Sequence, residues 1–507
     1  MIDLNEKICR LSDVKSNEDI KALSFAKFPG THCPLFGVAM IASFISDLAV
    51  LVVGTGECTY YSKGFAYGNQ KGNDNFYSLA IGKNEITFGC GKQILSALKR
   101  IENEDKPQAI MVVTTCVLEV IGEDVESLLM ENEMDFNAKL LCVKTEHFKC
   151  GSHIPGMERA LKSLVTVMER GEKAERSINI LGHRKHGVEE TEVISALQEE
   201  NIKINSIIPS NCTIADLVNA SKTSLNIVTD FTALPLAREM EKCFGIPFVY
   251  FGRHLMKEKI DREYKRIEEI FEISLINRLE DKRDKLDQLE EKAKILFKDK
   301  SFIYGNTPMM AFEVTDYLTH LGLIPLFVQV REYYEEERGD MDSLLSRSYN
   351  PYIAQIANIA PMQEVYDELK PAIYLGHENP MALWKKGIVQ ITADEVTEKI
   401  GYEVPIKFLE KIISIYEMSI AKPDMPVGML SMMGLSEAPA DSPMMKMRQS
   451  DGVDEWLDRL EKYSVHSEVK EENTLDKNGL TAEMARAVEK GMPLAIAKMI
   501  SKRGGKA

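Results

Sequence analysis

Three cysteines in the N-terminal part of the chain have residue types beside them that suit a metal ligand. Cys33 precedes Pro34, Cys58 closes the turn Gly54-Thr55-Gly56-Glu57-Cys58, and Cys116 follows a pair of threonines. Their separations are 25 residues (58 − 33) and 58 residues (116 − 58). Both are too long for a local metal knuckle, whose ligands are a few residues apart. If these thiols share one ligand, the fold must bring them together.

Thiolates are the ligands that iron–sulfur clusters need. Cys33, Cys58 and Cys116 each have Gly, Pro or a strand end beside them, where the backbone can approach a bulky inorganic group and hydrogen-bond its sulfides. The chain has nine cysteines, and the sequence favours a structural role for four of the six outside this set, namely Cys9, Cys142, Cys212 and Cys243. The first ten residues lack the apolar core of a signal peptide, so we expect a cytoplasmic protein without disulfides.

The elements that would position these cysteines follow from the alternation of two patterns. From Leu48 onward, short β-branched apolar runs that end in Gly, Asn or Asp alternate with longer helical patterns. Such alternation predicts parallel sheets with right-handed crossovers, whose ligands bind beyond the carboxyl ends of the strands. The predicted strands Ala49–Val53 and Ala109–Thr114 place Cys58 and Cys116 at such ends.

The whole chain is too long for one core, because single cores stop growing at roughly 250–300 residues and this chain has 507. Its 44% hydrophobic content includes no run long enough to cross a membrane, and its net charge of −16 disfavours nucleic acid or an anionic membrane as a partner. We predict an N-terminal arm (1–24), a cluster-binding α/β domain (25–170), a second α/β domain ending in a long helix or helix pair (171–300), a third α/β domain (301–420) and a Met-rich, mostly helical C-terminal extension (421–507).

Two nucleotide-binding motifs can be excluded. Gly54-Thr55-Gly56 resembles the start of a dinucleotide fingerprint, but Thr59 stands where the third glycine would be. The sequence also has no G-x-x-x-x-G-K-S/T loop for ATP. If ATP drives this system, another protein must hydrolyse it.

The cysteine motifs resemble those of the nitrogenase component 1 superfamily, which comprises the molybdenum–iron protein subunits and their reductase relatives. Cys33-Pro34-Leu35-Phe36-Gly37, the turn that ends at Cys58, and the segment from Thr114 to Val125 look like the three motifs that bind an electron-relay cluster at the subunit interface. Phe88-Gly89-Cys90-Gly91-Lys92 resembles the family's Phe-Gly-Gly segment, with Cys90 in place of a glycine. The resemblance covers about residues 25–410.

The resemblance implies an oxidoreductase subunit with three Rossmann-like α/β domains, each a parallel sheet flanked by helices. It also implies a homologous partner subunit, in an α2β2-like heterotetramer or a homodimer, with this chain closest to the β-type. Cys33, Cys58 and Cys116 would be metal ligands, and Gly37 and Gly56 would also bind the cofactor. The cluster would be P-cluster-like [8Fe-7S] if the partner adds three cysteines, or [4Fe-4S] if it adds one ligand. Electrons would come from a separate ATP-hydrolysing [4Fe-4S] iron protein.

Two departures from the family pattern concern the catalytic end. Asp230 stands where catalytic α subunits have the cysteine that holds a large iron–sulfur cofactor, and the cofactor's histidine ligand has no counterpart. The chain is then a β-like partner or belongs to a tetrapyrrole-reducing branch. In that branch Asp230 could donate a proton if burial raised its pKa, and His377 could be a second donor. The simpler alternatives are a helix N-cap for Asp230 and an ordinary loop histidine for His377.

Two other possibilities stay open from the sequence. His183 and His186 lie in a polar loop after a predicted strand and could bind an anionic substrate or cofactor group, or could simply be exposed. A non-catalytic scaffold on which a nitrogenase-type cofactor is assembled and handed on is the second class of function. The identity of the reduced substrate does not follow from the sequence.

Overall fold

The computed structural model describes residues 8–23, 33–67, 75–184, 187–210, 212–305, 307–355 and 359–421. The chain divides into two units, Met1–Ser436 and Glu437–Ala507, and all the described residues belong to the first. His186 and the predicted C-terminal extension beyond residue 421 lie outside the described residues.

Fourteen strands are found in the described part of the chain. In chain order they are β1 Cys9–Arg10, β2 Leu48–Gly54, β3 Phe76–Ala80, β4 Ala109–Thr114, β5 Lys139–Lys144, β6 Ser177–His183, β7 Lys203–Pro209, β8 Leu225–Val228, β9 Phe248–Tyr250, β10 Ser301–Tyr304, β11 Ile324–Val330, β12 Tyr352–Gln355, β13 Ile373–Leu375 and β14 Val389–Ile391.

The strands form three sheets. Their orders are β3-β2-β4-β5, β7-β6-β8-β9 and β1-β12-β11-β10-β13-β14. Neighbouring strands are parallel, except that β1 pairs with β12 in the antiparallel sense. The predicted α/β class with parallel sheets flanked by helices is confirmed. The predicted domain boundaries stay a prediction.

Seventeen α-helices connect and cover the strands among the described residues. They are α1 Pro34–Ala42, α2 Gly56–Tyr67, α3 Lys83–Phe88, α4 Gly91–Asp105, α5 Cys116–Ile121, α6 Val125–Asn132, α7 Ile154–Ser163, α8 Glu192–Glu199, α9 Ile214–Asn219, α10 Leu234–Phe244, α11 Lys257–Phe271, α12 Glu280–Phe297, α13 Ala311–His320, α14 Arg338–Ser346, α15 Ile359–Leu369, α16 Pro380–Lys385 and α17 Glu403–Ala421. The predicted helix pair before residue 300 corresponds to α11 and α12. No helix in these ranges is long and apolar enough to span a membrane.

The continuous apolar run of β2 results from burial of both faces of the first sheet. Val50 and Val52 pack in the core on one side, whereas Leu51 and Val53 pack in a separate core on the other. Alternate residues of a strand point to opposite faces, so a strand covered on both sides must be apolar at every position. The same burial fixes the carboxyl end of β2, from which Cys58 follows.

The N-terminal segment, which the sequence predicts to be a polar arm, contributes a strand to the third sheet. Cys9–Arg10 forms an edge strand of the third sheet, and the Leu11 N–H donates to the Pro351 carbonyl oxygen at 3.0 Å. Leu11 and Val14 are buried. A strand of two residues is too short to show alternation in the sequence, and its partner strand lies more than 300 residues away, so local patterns could not reveal it.

Candidate functional site

The three cysteines lie at the N-termini of three helices, near the edge of the first sheet where its strands have their carboxyl ends. Cys33 is the N-cap of α1, Cys58 is in the first turn of α2, and Cys116 is the first residue of α5. Helix α2 follows β2 and α5 follows β4, and these two strands are parallel neighbours. Their carboxyl ends therefore meet at one edge, which brings Cys58 and Cys116 together. Helix α1 packs against α2 and adds Cys33.

The three thiols are near enough to influence one another electrostatically. Burial raises the pKa of Cys33, and the nearby Cys58 and Cys116 raise it further, whereas the backbone N–H groups of Leu35 and Phe36 lower it. Burial also raises the pKa of Cys116, followed by the charges of Cys58 and Glu119. Three thiolates that repel one another need compensating positive charge, which a metal cluster supplies.

The site does not suit a single metal ion. Within the described ranges, no three His, Cys, Asp or Glu side chains form a group that could hold one ion. In an iron–sulfur cluster the thiolates bind different irons, so they need not converge on one point. The three thiols could bind such a cluster as ligands, and the backbone N–H groups beside them could donate hydrogen bonds to its sulfurs. Ligands from a second chain would complete it.

Glu119 holds the helix that carries Cys116. Its Oε1 accepts hydrogen bonds from Thr114 Oγ1 at 3.0 Å, Thr145 Oγ1 at 3.1 Å and the Glu146 N–H at 2.8 Å. These donors stand at the ends of β4 and β5, so one carboxylate oxygen ties α5 to both strands. The sequence motif Thr-Thr-Cys-x-x-Glu thus contains both the thiol and the group that positions it.

The two glycines expected to bind the cofactor have different surroundings. A Cβ on Gly37 would lie 2.0 Å from the His153 carbonyl oxygen, so Gly37 allows α1 to cross α7 closely. This close packing accounts for a glycine at this position, and the cofactor role of Gly37 stays a prediction. A Cβ on Gly56 would meet nothing within 4 Å, which leaves open space two residues before Cys58.

Exposed apolar side chains surround this edge of the first sheet. Five of them follow the carboxyl ends of its strands, and we call them the apolar rim: Tyr60, Tyr61, Phe88, Val120 and Phe148, with 76%, 54%, 85%, 69% and 73% of their surface exposed. Large apolar groups that cluster on a surface usually mark a contact site for another molecule.

A cavity of about 320 Å³ lies between the loops of the second sheet, helix α1 and the third sheet. The residues that line this inter-sheet cavity are Met40, Phe44, Gly182, His183, Arg184, Thr229, Arg253, Pro308, Asp394 and Thr397. His183 is 3% exposed, and its Nε2 has no hydrogen-bond partner among the described residues. Arg253 Nε also has no hydrogen-bond partner among them. The cavity therefore offers unused polar groups and positive charge to a ligand.

His183 is neutral at physiological pH. Burial lowers its pKa to about 4, with Arg253 as the next cause. An uncharged imidazole can donate or accept a hydrogen bond without adding to the charge of the cavity. The positive charge that an anionic ligand would meet therefore comes from the arginines.

The structure corrects the expectation that Asp230 is a proton donor. Asp230 is 1% exposed, and its Oδ2 accepts from Arg184 at 3.0 Å and from Arg253 at 2.6 Å. Burial alone would raise the pKa of Asp230, but the two arginines and Thr232 lower it well below its usual range. A carboxylate that stays ionised cannot supply a proton. Its other oxygen accepts from the Thr232 N–H at 3.0 Å, as the N-cap alternative predicts.

His377 lies in a loop after β13 and its side chain is 44% exposed. Its Nε2 lies 2.8 Å from Asp394 Oδ2, and this hydrogen bond raises the pKa of His377. Because Asp394 lines the inter-sheet cavity, His377 reaches the cavity through one intervening carboxylate. No hydrogen bond between His377 and Asp230 is found in the described part of the chain.

The sequence reasoning missed Arg253 and Arg331. Arg253 follows β9, and Arg331 directly follows β11 and donates from Nη1 to the Thr307 carbonyl oxygen at 2.9 Å. The rule that ligands bind beyond strand ends applies to both positions.

The chain is similar in sequence to known proteins of one family. A family model for nitrogenase component 1 type oxidoreductases matches residues 33–416. The nitrogenase iron-molybdenum cofactor biosynthesis protein NifE of Methanococcus maripaludis is 26% identical over 231 residues, which are 43% of this chain and 48% of that protein. The nitrogenase molybdenum-iron protein alpha chain of Methanosarcina barkeri is 24% identical over 298 residues, 55% of this chain and 54% of that protein. The chain thus spans about half the length of these curated relatives.

A solved structure has the same fold. The structure of nitrogenase Cp1 at pH 6.5 aligns with a TM-score of 0.65 at 16% identity, covering 78% of this chain and 94% of that chain. At this identity the likeness concerns the fold alone.

Proposed function

This chain belongs to the nitrogenase component 1 type oxidoreductase family, and we propose that it is a subunit of a reductase complex. The family membership confirms the resemblance inferred from the cysteine motifs. In the proposal, the chain receives electrons from an ATP-hydrolysing iron protein through an iron–sulfur cluster bound by Cys33, Cys58 and Cys116. The observation that carries it is the convergence of three thiols from three helix N-termini at one sheet edge.

The cluster would supply one-electron storage and transfer, and the chain's residues hold it. The three thiolates are its ligands, and backbone N–H groups such as those of Leu35 and Val117 stabilise negative charge on the sulfurs. Glu119 keeps α5 against the sheet so that the Cys116 thiol stays in place. A partner with three cysteines would give a P-cluster-like [8Fe-7S] cluster, and a partner with one ligand a [4Fe-4S] cluster.

The partner in this proposal is a homologous component 1 subunit that covers the apolar rim. The rim residues follow the same strand ends as Cys58 and Cys116, so a chain that buries the rim would also close the cluster site from water. A shared cluster must lie at the interface of the two subunits because its remaining ligands come from the partner subunit. The assembly would be an α2β2-like heterotetramer with this chain in the β-type role, or a homodimer.

The inter-sheet cavity is the proposed destination of the electrons. Cys33 begins α1 and Met40, seven residues later, lines the cavity, which separates the two sites by about 10 Å along the helix at roughly 1.5 Å per residue. Arg184 and Arg253 favour an anionic substrate or cofactor there. His377, linked to the cavity through Asp394, is the proposed proton donor. A tetrapyrrole is one substrate class that such a site could take.

Anaerobic purification with a co-expressed partner tests the cluster. We expect a brown protein with iron and acid-labile sulfide, and loss of most of the iron in Cys116→Ala. Cys212→Ala is a matched control, because Cys212 is buried beside the second sheet, where its Sγ lies 3.4 Å from the Thr213 carbonyl oxygen. A colourless wild type, or equal iron in Cys116→Ala and Cys212→Ala, would contradict the proposal.

A second candidate is a scaffold that assembles a nitrogenase-type cofactor. The fixed pairing of Asp230 with two arginines favours it, because the position of the usual cofactor cysteine offers no free ligand. The similarity to a cofactor biosynthesis protein points the same way. Sustained product formation with iron protein and ATP supports the reductase. Transfer of a cluster to an acceptor protein without turnover supports the scaffold.

A further inference from the structure

We propose that Thr55 is a positioning residue of the electron relay, whose hydroxyl donates a hydrogen bond to Cys58 Sγ and raises the reduction potential of the cluster bound there. This inference rests on the proposed cluster. It assigns to one side chain a role in setting the potential at which the subunit accepts electrons.

The contact and its rigidity are both seen in the structure. Thr55 Oγ1 lies 3.3 Å from Cys58 Sγ, within hydrogen-bond distance for a sulfur acceptor. The residue before it packs closely against Thr115, since a Cβ on Gly54 would lie 2.2 Å from Thr115 Oγ1. Thr115 is itself held by a hydrogen bond from its Oγ1 to the Val53 carbonyl oxygen at 3.0 Å. The turn that presents the Thr55 hydroxyl is thus packed against the helix that carries Cys116.

Cys58 differs from the other two thiols in the kind of donor beside it. Cys33 and Cys116 lie near backbone N–H groups of their own helices, such as those of Leu35 and Val117. In the described part of the chain, Cys58 alone of the three has a side-chain hydroxyl in hydrogen-bond contact. A donor on a ligand sulfur stabilises the reduced cluster more than the oxidised one, because reduction adds negative charge. Removal of the hydroxyl therefore lowers the potential.

The same threonine directly precedes α2, so it could also act as a helix cap. A lost cap would lower the melting temperature without a specific effect on the cluster. The two roles separate by substitution. Thr55→Val removes the hydroxyl but keeps the shape, Thr55→Ala removes it with less bulk, and Thr55→Ser keeps the donor.

A matched control comes from the same helix. Thr59 is buried and its Oγ1 donates to Ser78 Oγ at 2.9 Å, away from any sulfur. Thr59→Val therefore removes a buried hydroxyl one residue after Cys58 without changing a donor to the cluster. It reports what the loss of such a group does to α2 alone.

The test is a redox titration of the anaerobic complex, followed by electron paramagnetic resonance, with iron content and melting temperature measured on each variant. We expect a lower midpoint potential in Thr55→Val and Thr55→Ala, and a potential near that of the wild type in Thr55→Ser and Thr59→Val. Exchange into D₂O should reveal an exchangeable proton coupled to the cluster in the wild type and Thr55→Ser. The coupling of the hydroxyl proton should be absent in Thr55→Val, whereas couplings from backbone N–H groups near Cys33 and Cys116 should remain.

The outcomes distinguish this inference from the proposed function. An iron-loaded Thr55→Val or Thr55→Ala with the wild-type potential would overturn it, as would an equal shift in Thr55→Ser or Thr59→Val. A wild-type complex without iron would overturn the proposed function and this inference together.

Discussion

Asp230 organises the charged side of the inter-sheet cavity. One carboxylate oxygen accepts hydrogen bonds from two arginines that come from different strand ends of the second sheet. The pair would repel each other without this shared anion. Asp230 thus has a structural task that the chain requires whether or not a ligand is bound.

Asp230→Asn should destabilise the protein by about 3–5 kcal/mol, the usual cost of breaking a buried ion pair. The substitution keeps the shape but leaves Arg184 and Arg253 without their counter-charge. Urea unfolding measures the change, and Asp135→Asn, at an exposed position, is the control. A loss below about 1 kcal/mol would show that the arginines do not depend on this carboxylate.

His183 should make the stability depend on pH below neutrality. Its pKa is lowered to about 4 in the folded protein, so the unfolded chain binds the proton first and stability falls as the pH drops from about 6.5 toward 4. Between pH 7 and pH 5 the loss is about 2 kcal/mol. Urea unfolding at both values should show this slope in the wild type and a smaller one in His183→Gln. Equal slopes would contradict the burial of a neutral imidazole.

At the scale of elements, the crossing of α1 and α7 fixes the helix that carries Cys33. Both helices use a glycine at the crossing: a Cβ on Gly37 would lie 2.0 Å from the His153 carbonyl oxygen, and one on Gly156 would lie 1.8 Å from that of Pro34. The obstacles are backbone atoms, which cannot rotate away as a side chain can. The helices touch at the position next to the Cys33 thiol.

Gly156→Ala should therefore destabilise the protein by about 1–3 kcal/mol and lower the iron content, because α1 must shift. Gly339→Ala is the matched control: a Cβ there meets nothing within 4 Å, and alanine is the better helix former. Thermal unfolding and iron analysis of both variants check this. Equal effects of the two substitutions on thermal stability and iron content would show that the helix crossing can accommodate a Cβ at position 156.

At the scale of the whole molecule, the N-terminal segment closes the edge of the last sheet. Strand β1 covers β12, which lies more than 300 residues later in the sequence. A short antiparallel strand at the edge of a parallel sheet blocks unwanted pairing with other chains. The fold of the third sheet is therefore complete only with residues from the other end of the chain.

Leu11→Ala should cost about 2–5 kcal/mol, because Leu11 is fully buried in a core that it shares with the third sheet. Glu18→Ala, at an exposed position in the same segment, should be close to neutral. Urea unfolding compares the two. A neutral Leu11→Ala would mean that the segment lies against the sheet without stabilising it.

The sequence could predict elements whose signals are local. Ala109–Thr114 is found as predicted because a strand buried on both faces is apolar throughout. Cys58 and Cys116 lie just beyond the ends of two such strands, as predicted. Phe76–Ala80 was missed, since it is an edge strand with partly exposed residues. The state of Asp230 could not be predicted, because it depends on Arg184 and Arg253, which only the tertiary structure brings to it.

Helix α1 begins at the thiols and ends at the cavity, and the glycine crossing prevents it from sliding. In the proposed function, the cluster and the ligand of the cavity would contact opposite ends of this one helix. Ligand binding in the cavity would then shift the reduction potential of the cluster. The redox state of the cluster would in turn shift the affinity of the cavity for its ligand. Thermodynamic linkage requires these two effects to be equal in free energy.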